Sequence, residues 1–155
     1  MRKKRNYTRE RTPDFKFNSV TVGRFINCLM LDGKKTVAQK VVYDAFDLIK
    51  EETKEDPLVV FQRAFDNVEP LVETASKRVG GANYQVPREV RPARKFLLAT
   101  RWLIGAARSK KGKSMANRLA EEIILASNNE GSAIKKKQDI HRMAEANRAF
   151  AHFSW

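Results

Sequence analysis

Residues 72–90 read VETASKRVGGANYQVPREV, and the fold turns on them. β-Branched and polar residues flank Gly80-Gly81, and no apolar stripe recurs at helical spacing. Two adjacent glycines can both take positive φ, as the tight turn of a β-hairpin requires. Pro87 would be out of place in a central strand, but a two-stranded ribbon has only edges, where proline is tolerated. Neither flank carries enough apolar residues to bury a face, and an isolated hairpin is only marginally stable in water. The segment is therefore expected to protrude from the body and to be held by what it touches.

Outside this stretch the chain reads as helix. Upstream, Ser19 can cap VTVGRFINCLML (20–31), and Asp32-Gly33 ends it. A second helix is expected from about Lys35 to Thr53, with Val37, Val41, Ala45, Leu48 and Ile49 as its buried stripe. Asp56-Pro57 is a cap followed by proline at the first helical position, opening a third helix that buries Phe61, Phe65 and Val68 until Pro70 closes it. Downstream, Pro92 starts PARKFLLATRWLIGAAR (92–108). Its Phe96, Leu97, Leu103, Ile104 and Ala107 face one way, and Arg94, Arg101 and Arg108, with Gly105 beside them, the other. SKKGK (109–113) is a basic loop. Ser114 caps a fifth helix with Met115, Leu119, Ile123 and Ile124 inward. Asn128 to Gly131 stops it, and Ser132 caps a sixth through HRMAEANRAFAHF (141–153), buried along Ile140, Met143, Ala144, Asn147 and Phe150. The expected fold is mainly α: a single domain of about six helices over 19–155, with the protruding two-stranded β-hairpin between the third and fourth. A basic, extended N-terminal arm covers 1–18.

Charge is segregated. The net charge is +13 over 155 residues, yet residues 44–73 hold nine of the 18 acidic side chains against three basic ones. The arm carries Arg2, Lys3, Lys4, Arg5, Arg9 and Arg11 against Glu10, and residues 88–118 hold ten basic residues against Glu89 alone. One side is acidic and several are basic, which points to a polyanionic partner. No apolar run approaches the roughly 18 residues of a membrane span, and the charged N-terminus has no apolar segment behind it. The single Cys28 precludes an internal disulfide and fits a reducing compartment, the cytoplasm by default.

Enzyme signals fail. Gly112-Lys113-Ser114 resembles the tail of a phosphate-binding loop, but position 107 is alanine and a helix, not a strand, precedes it. Gly33-Lys34-Lys35-Thr36 has Cys28 where the leading glycine should be. His141 and His152 lack a third ligand at metal spacing, and Cys28, among Phe25, Ile26 and Leu29, is expected to be a buried, inert thiol. Asp44, Asp47, Glu51 and Glu52 read as a solvated face. No cofactor is expected. Binding signals are stronger: Lys and Arg gain affinity for nucleic acid by displacing counterions, which needs charge density rather than a motif. Trp102, between the arginine stripe and Lys95, can either stack on a base or pack inside the core. Arg78 to Tyr84 at the hairpin tip combine charge, bare backbone and an aromatic ring. An architectural DNA-binding protein with a wrapping β-arm is the rival reading. A helix-turn-helix is poorer, because its recognition helix would be the acidic one.

FINCLMLDGKKT (25–36), KRVGGANYQVPREVRPARK (77–95) and HRMAEANRAFAHFSW (141–155) closely resemble the bacterial form of the small-subunit ribosomal protein seven family. PDFKFNS (13–19) departs from it where a second proline commonly follows the aspartate. The resemblance implies primary binding to the 3′ major domain of small-subunit rRNA and nucleation of head assembly. The rRNA contacts it implies are Arg2, Lys3, Lys4, Arg5, Arg9 and Arg11 of the arm; Lys34, Lys35 and Arg78; Arg94, Arg101, Arg108, Lys110, Lys111 and Lys113; and Lys136. It places Lys77, Arg78, Gly80, Gly81, Asn83 and Tyr84, with Arg142 and Arg148, near exit-site tRNA and mRNA. Neighbouring small-subunit proteins, including proteins nine and eleven, are the implied protein partners. Some members also repress their own operon.

Overall fold

The computed structural model describes residues 11–153, and by packing the chain divides into two units, 1–39 and 40–155. In the first, α1 (Val20–Leu29) begins at Ser19, whose Oγ accepts the Val22 N–H, and buries Val22, Phe25, Ile26 and Leu29. Thr12 and Asp14 run close over Gly23, where a Cβ would stand 3.3 Å from the Thr12 carbonyl oxygen. Asp14 is buried and accepts the backbone N–H groups of Lys16 and Phe17. The chain leaves α1 at Met30, and Asp32 and Gly33, both at positive φ, lead into α2 (Lys35–Thr53). Cys28 is exposed, contrary to the buried thiol expected: the apolar stripe of α1 takes 22, 25, 26 and 29, and 28 falls outside it.

The second unit holds the rest of α2, then α3 (Pro57–Val68), β1 (Val72–Val79), β2 (Ala82–Glu89), α4 (Pro92–Ser109), α5 (Met115–Ser127), α6 (Ser132–Ala146) and a 3-10 segment, Arg148–Phe153. The fold is thus mainly helical, with one hairpin between the third and fourth helices. The buried stripe of α2 is Ala38, Val42, Ala45, Phe46 and Ile49, whereas Val37 is 58% exposed. The expected stripe holds at Ala45 and Ile49, but its first turns are displaced by one residue, Ala38 and Val42 facing inward in place of Val37 and Val41. An aromatic ladder ties α2, α3 and α4: Phe46 to Phe61 at 5.3 Å, Phe61 to Phe65 at 4.8 Å, Phe65 to Phe96 at 5.1 Å between ring centroids. Tilted and offset pairs of this kind add to the burial of the rings themselves.

Gly80 and Gly81 turn the hairpin with φ of 57° and 92°, and the register pairs Val79 with Ala82 and so Glu73 with Arg88. The hairpin is not left to itself. Its root packs on α6, and the rings of Phe150 and Phe153 stand 5.1 and 5.3 Å from Tyr84. The final expected helix accordingly breaks: α6 stops at Ala146, and the chain tightens into the 3-10 segment that follows β2. Of its expected buried positions only Ala144 is buried; Met143 is 48% exposed, and Ala133 and Ile134 carry the packing instead. Nor does Ser132 cap α6. Gly131 holds the cap position without a side chain, and a neighbouring helix supplies the oxygen.

Candidate nucleic-acid interface

The basic residues on α4 and the loop after it are not equivalent. Arg94, Arg101 and Arg108 are all exposed, as the 100° spacing requires. Arg94, however, lies 3.2 Å from Glu73 Oε2, while Arg88 reaches Oε1 of the same buried carboxylate at 2.7 Å. Glu73 therefore ties the hairpin root to the first turn of α4. The stretch from Arg91 to Arg118 is free of acid in sequence but not in space.

The loop after α4 is also tethered. Lys110 Nζ sits 2.9 Å from Glu122 Oε2, near enough for an ion pair though off the line of a hydrogen bond. Lys113 donates to Glu121, a hydrogen bond that raises the Lys113 pKa and lowers that of Glu121. Arg118 donates to the Lys110 carbonyl. Gly112, at φ 86°, gives the loop its bend, and Ser114 Oγ accepts the Asn117 N–H as the cap of α5. Gly112-Lys113-Ser114 is thus a helix-to-helix connection whose lysine and serine are both engaged, not a phosphate loop. Lys111 remains exposed at the bend.

Arg101 is brought close to Lys136. Together with Trp102, Gly105, Ser109 and Ser132 they line a groove of about 290 Å³ between α4 and α6. Trp102 is half-buried: part of it packs, as one of the two readings expected, and it also lines the groove.

At the hairpin, Arg78 and Asn83 are exposed cross-strand partners beside the glycines, whereas Lys77 Nζ donates to the Phe153 carbonyl and Tyr84 is half-buried on Phe150 and Phe153. Arg142 and Arg148 are about 80% exposed and each faces an acid three residues back, Asp139 at 3.9 Å and Glu145 at 3.4 Å. Both line a cleft of about 630 Å³ with Arg88 and Pro87 of the hairpin. His141, at the same cleft, accepts the Leu71 N–H on Nε2; burial and then Lys137 lower its pKa. In the first unit Arg11, Lys34 and Lys35 are exposed. Arg2, Lys3, Lys4, Arg5 and Arg9 lie outside the described residues.

Sequence reasoning missed two buried acids beside the basic residues, Glu73 and Glu122. Glu73 was within reach: a two-residue turn at 80–81 sets it opposite Arg88. Glu122 falls with Leu119, Ile123 and Ala126 on one helical stripe, so its spacing marked it as inward. Among the described residues no group of three or more His, Cys, Asp or Glu side chains can hold a metal ion, and no helix is long and apolar enough to cross a membrane.

The family model for ribosomal protein S7p/S5e matches residues 1–148. The small ribosomal subunit protein uS7 of Thermotoga maritima is 59% identical over 155 residues, all of both chains. That of Magnetococcus marinus is 59% identical over 147 residues, 95% of this chain and 94% of its own. That of Bartonella quintana is 53% identical over 154 residues, 99% of each. The family expected from the three sequence segments is the family found.

Proposed function

Because the chain belongs to the ribosomal protein S7p/S5e family, we propose that it is a primary binder of the 3′ major domain of small-subunit rRNA, nucleating assembly of the head. A structural constituent of the small ribosomal subunit has rRNA and other ribosomal proteins as partners and catalyses nothing itself. The observation that carries the RNA reading is the basic line along α4, its loop and α6: Arg101, Arg108, Lys111 and Lys136, all exposed, with the acidic residues of α2 kept to another helix. Such a line neutralises successive phosphates of a bound strand. The exposed residues of the hairpin tip, with Arg142 and Arg148 beside the cleft, are assigned to the space shared with exit-site tRNA and mRNA. Proteins nine and eleven are the protein neighbours.

The architectural DNA reading is weaker on this structure, because Tyr84, the aromatic ring of the hairpin tip, already packs at a tilt against two phenylalanines instead of standing out as a wedge. Binding to a purified rRNA head fragment is to be compared with binding to duplex DNA of equal length at about 150 mM salt, where nonspecific attraction is weakened. Preference for the rRNA fragment is expected; equal affinity for the two would remove the reading.

A further inference from the structure

We infer that the groove between α4 and α6 is a slot for one extruded base of single-stranded RNA, stacked on Trp102, with the adjoining phosphates held by Arg101 and Lys136. The inference rests on the RNA-binding reading and makes it specific to one place.

Four observations converge there. The groove, at about 290 Å³, is at the small end of pockets, since drug-sized ligands occupy roughly 300–1,000 Å³. One planar base suits it better than a peptide segment does. Gly105 leaves a bare patch three residues after Trp102, and a Cβ added there meets nothing within 4 Å. A mid-helix glycine costs about 1 kcal/mol relative to alanine, and no close approach of another of the described residues accounts for it. A flat object seated from outside does. Arg101 and Lys136 come from different helices, both are exposed, and neither makes an ion pair among the described residues, whereas Lys110 and Lys113 nearby do. Finally, Ser109 lines the groove and its Oγ donates to the Ala106 carbonyl at 2.7 Å, so the proton is committed and the oxygen keeps acceptor capacity for an exocyclic amine. A base inside a duplex cannot reach an indole face, so the occupant is an unpaired nucleotide.

The chain has two tryptophans, Trp102 and Trp155, so Trp155→Phe leaves Trp102 as the only indole reporter. Titrating this protein with the rRNA head fragment should quench its fluorescence as the base stacks. In the same background Gly105→Leu fills the slot without altering charge. It should bind about ten-fold more weakly, within the range of one base–aromatic stack, with no quenching and an unchanged salt slope. Gly105→Ala serves as the folding control: it should fold at least as stably as the parent, while its added methyl should weaken the quench. If Gly105→Leu folds poorly, Trp102→Leu gives the affinity comparison instead, and it too should bind about ten-fold more weakly. A bound complex without quenching, or undiminished affinity in the filled variant, overturns the slot. Failure of the Trp155→Phe protein to bind the fragment at all would instead overturn the RNA reading beneath it.

Discussion

Glu122 Oε1 accepts the backbone N–H of Ala133 at 2.9 Å, so a wholly buried carboxylate of α5 caps the start of α6. Its other oxygen faces Lys110 at the end of α4. One side chain thereby fixes three helices and both walls of the groove that holds Trp102. Gly131 makes room for it: a Cβ at 131 would lie 2.9 Å from Glu122 Oε1, and its φ of 95° is one that L side chains rarely adopt.

Replacing Glu122 by alanine should destabilise the protein by about 2–4 kcal/mol, adding a lost helix cap to a small cavity. Glu122→Gln should cost less, because the amide oxygen can still accept from Ala133. Gly131→Ala should fall between them. Denaturant midpoints at fixed m-value give the order; equal losses for Glu122→Gln and Glu122→Ala would mean the cap contributes nothing.

These relationships show where sequence was sufficient and where it was not. The hairpin, its turn and its register follow from Gly80-Gly81, because a two-residue turn fixes every cross-strand pair. The bounds of α2 and α3 follow from Gly33, Asp56-Pro57 and Pro70. Buried stripes were less secure: with Val37 and Ala38 adjacent, hydrophobicity favours the residue that the fold exposes. The end of α6 was illegible, since nothing local in NRAFAHF (147–153) distinguishes a helix from a 3-10 turn recruited by Tyr84. At the candidate site, the arginine stripe of α4 was visible as a period. Which cations were already paired was not, because Glu73 and Glu122 arrive from other elements.

That distinction gives a prediction on binding. Arg101→Glu with Lys136→Glu should lower rRNA affinity at least a hundred-fold at about 150 mM salt, as two phosphate contacts become repulsive. Glu51→Lys with Glu52→Lys on α2 should leave it within a few-fold. Arg94→Glu should lower thermal stability as well, because it sets a second carboxylate against Glu73. Filter binding and melting curves on all three separate these cases, and comparable affinity losses in the first two variants would mean the binding face is misassigned.

Acid should loosen the hairpin root at one point. His141 Nε2 must be unprotonated to accept the Leu71 N–H, and burial and Lys137 both hold its pKa below 6.5. A depressed histidine pKa means that the folded state disfavours the proton. The contribution is therefore complete above pH 6.5 and is lost as pH falls from there through the lowered folded value. Hydrogen exchange at the Leu71 amide, corrected for its intrinsic rate, should rise over that window. In His141→Gln the rise should vanish. An unchanged rise in that variant would assign it to another group.

The hairpin tip offers a sharper separation of structure from function, provided its two duties are cut apart. Lys77 and Tyr84 are cross-strand partners, and both are engaged by the C-terminal segment, Lys77 by the Phe153 carbonyl and Tyr84 by two rings. Removing 77–85 as a block would release residues 148–153 and confuse any readout. Deleting Arg78, Val79, Ala82 and Asn83 instead leaves Lys77 and Tyr84 joined through Gly80-Gly81. Two residues leave each strand, so the alternation of faces and the register of the remainder are kept. This shortened protein should melt within a few degrees of the parent and assemble into small subunits, because the Tyr84 clasp and the Glu73 ion pairs are untouched. If the tip reaches exit-site tRNA as proposed, ribosomes carrying it should show raised frameshifting and faster loss of deacylated tRNA. Failure to assemble would make the tip an rRNA anchor, and assembly with normal frame and tRNA retention would end the assignment of Arg78 and Asn83 to that space.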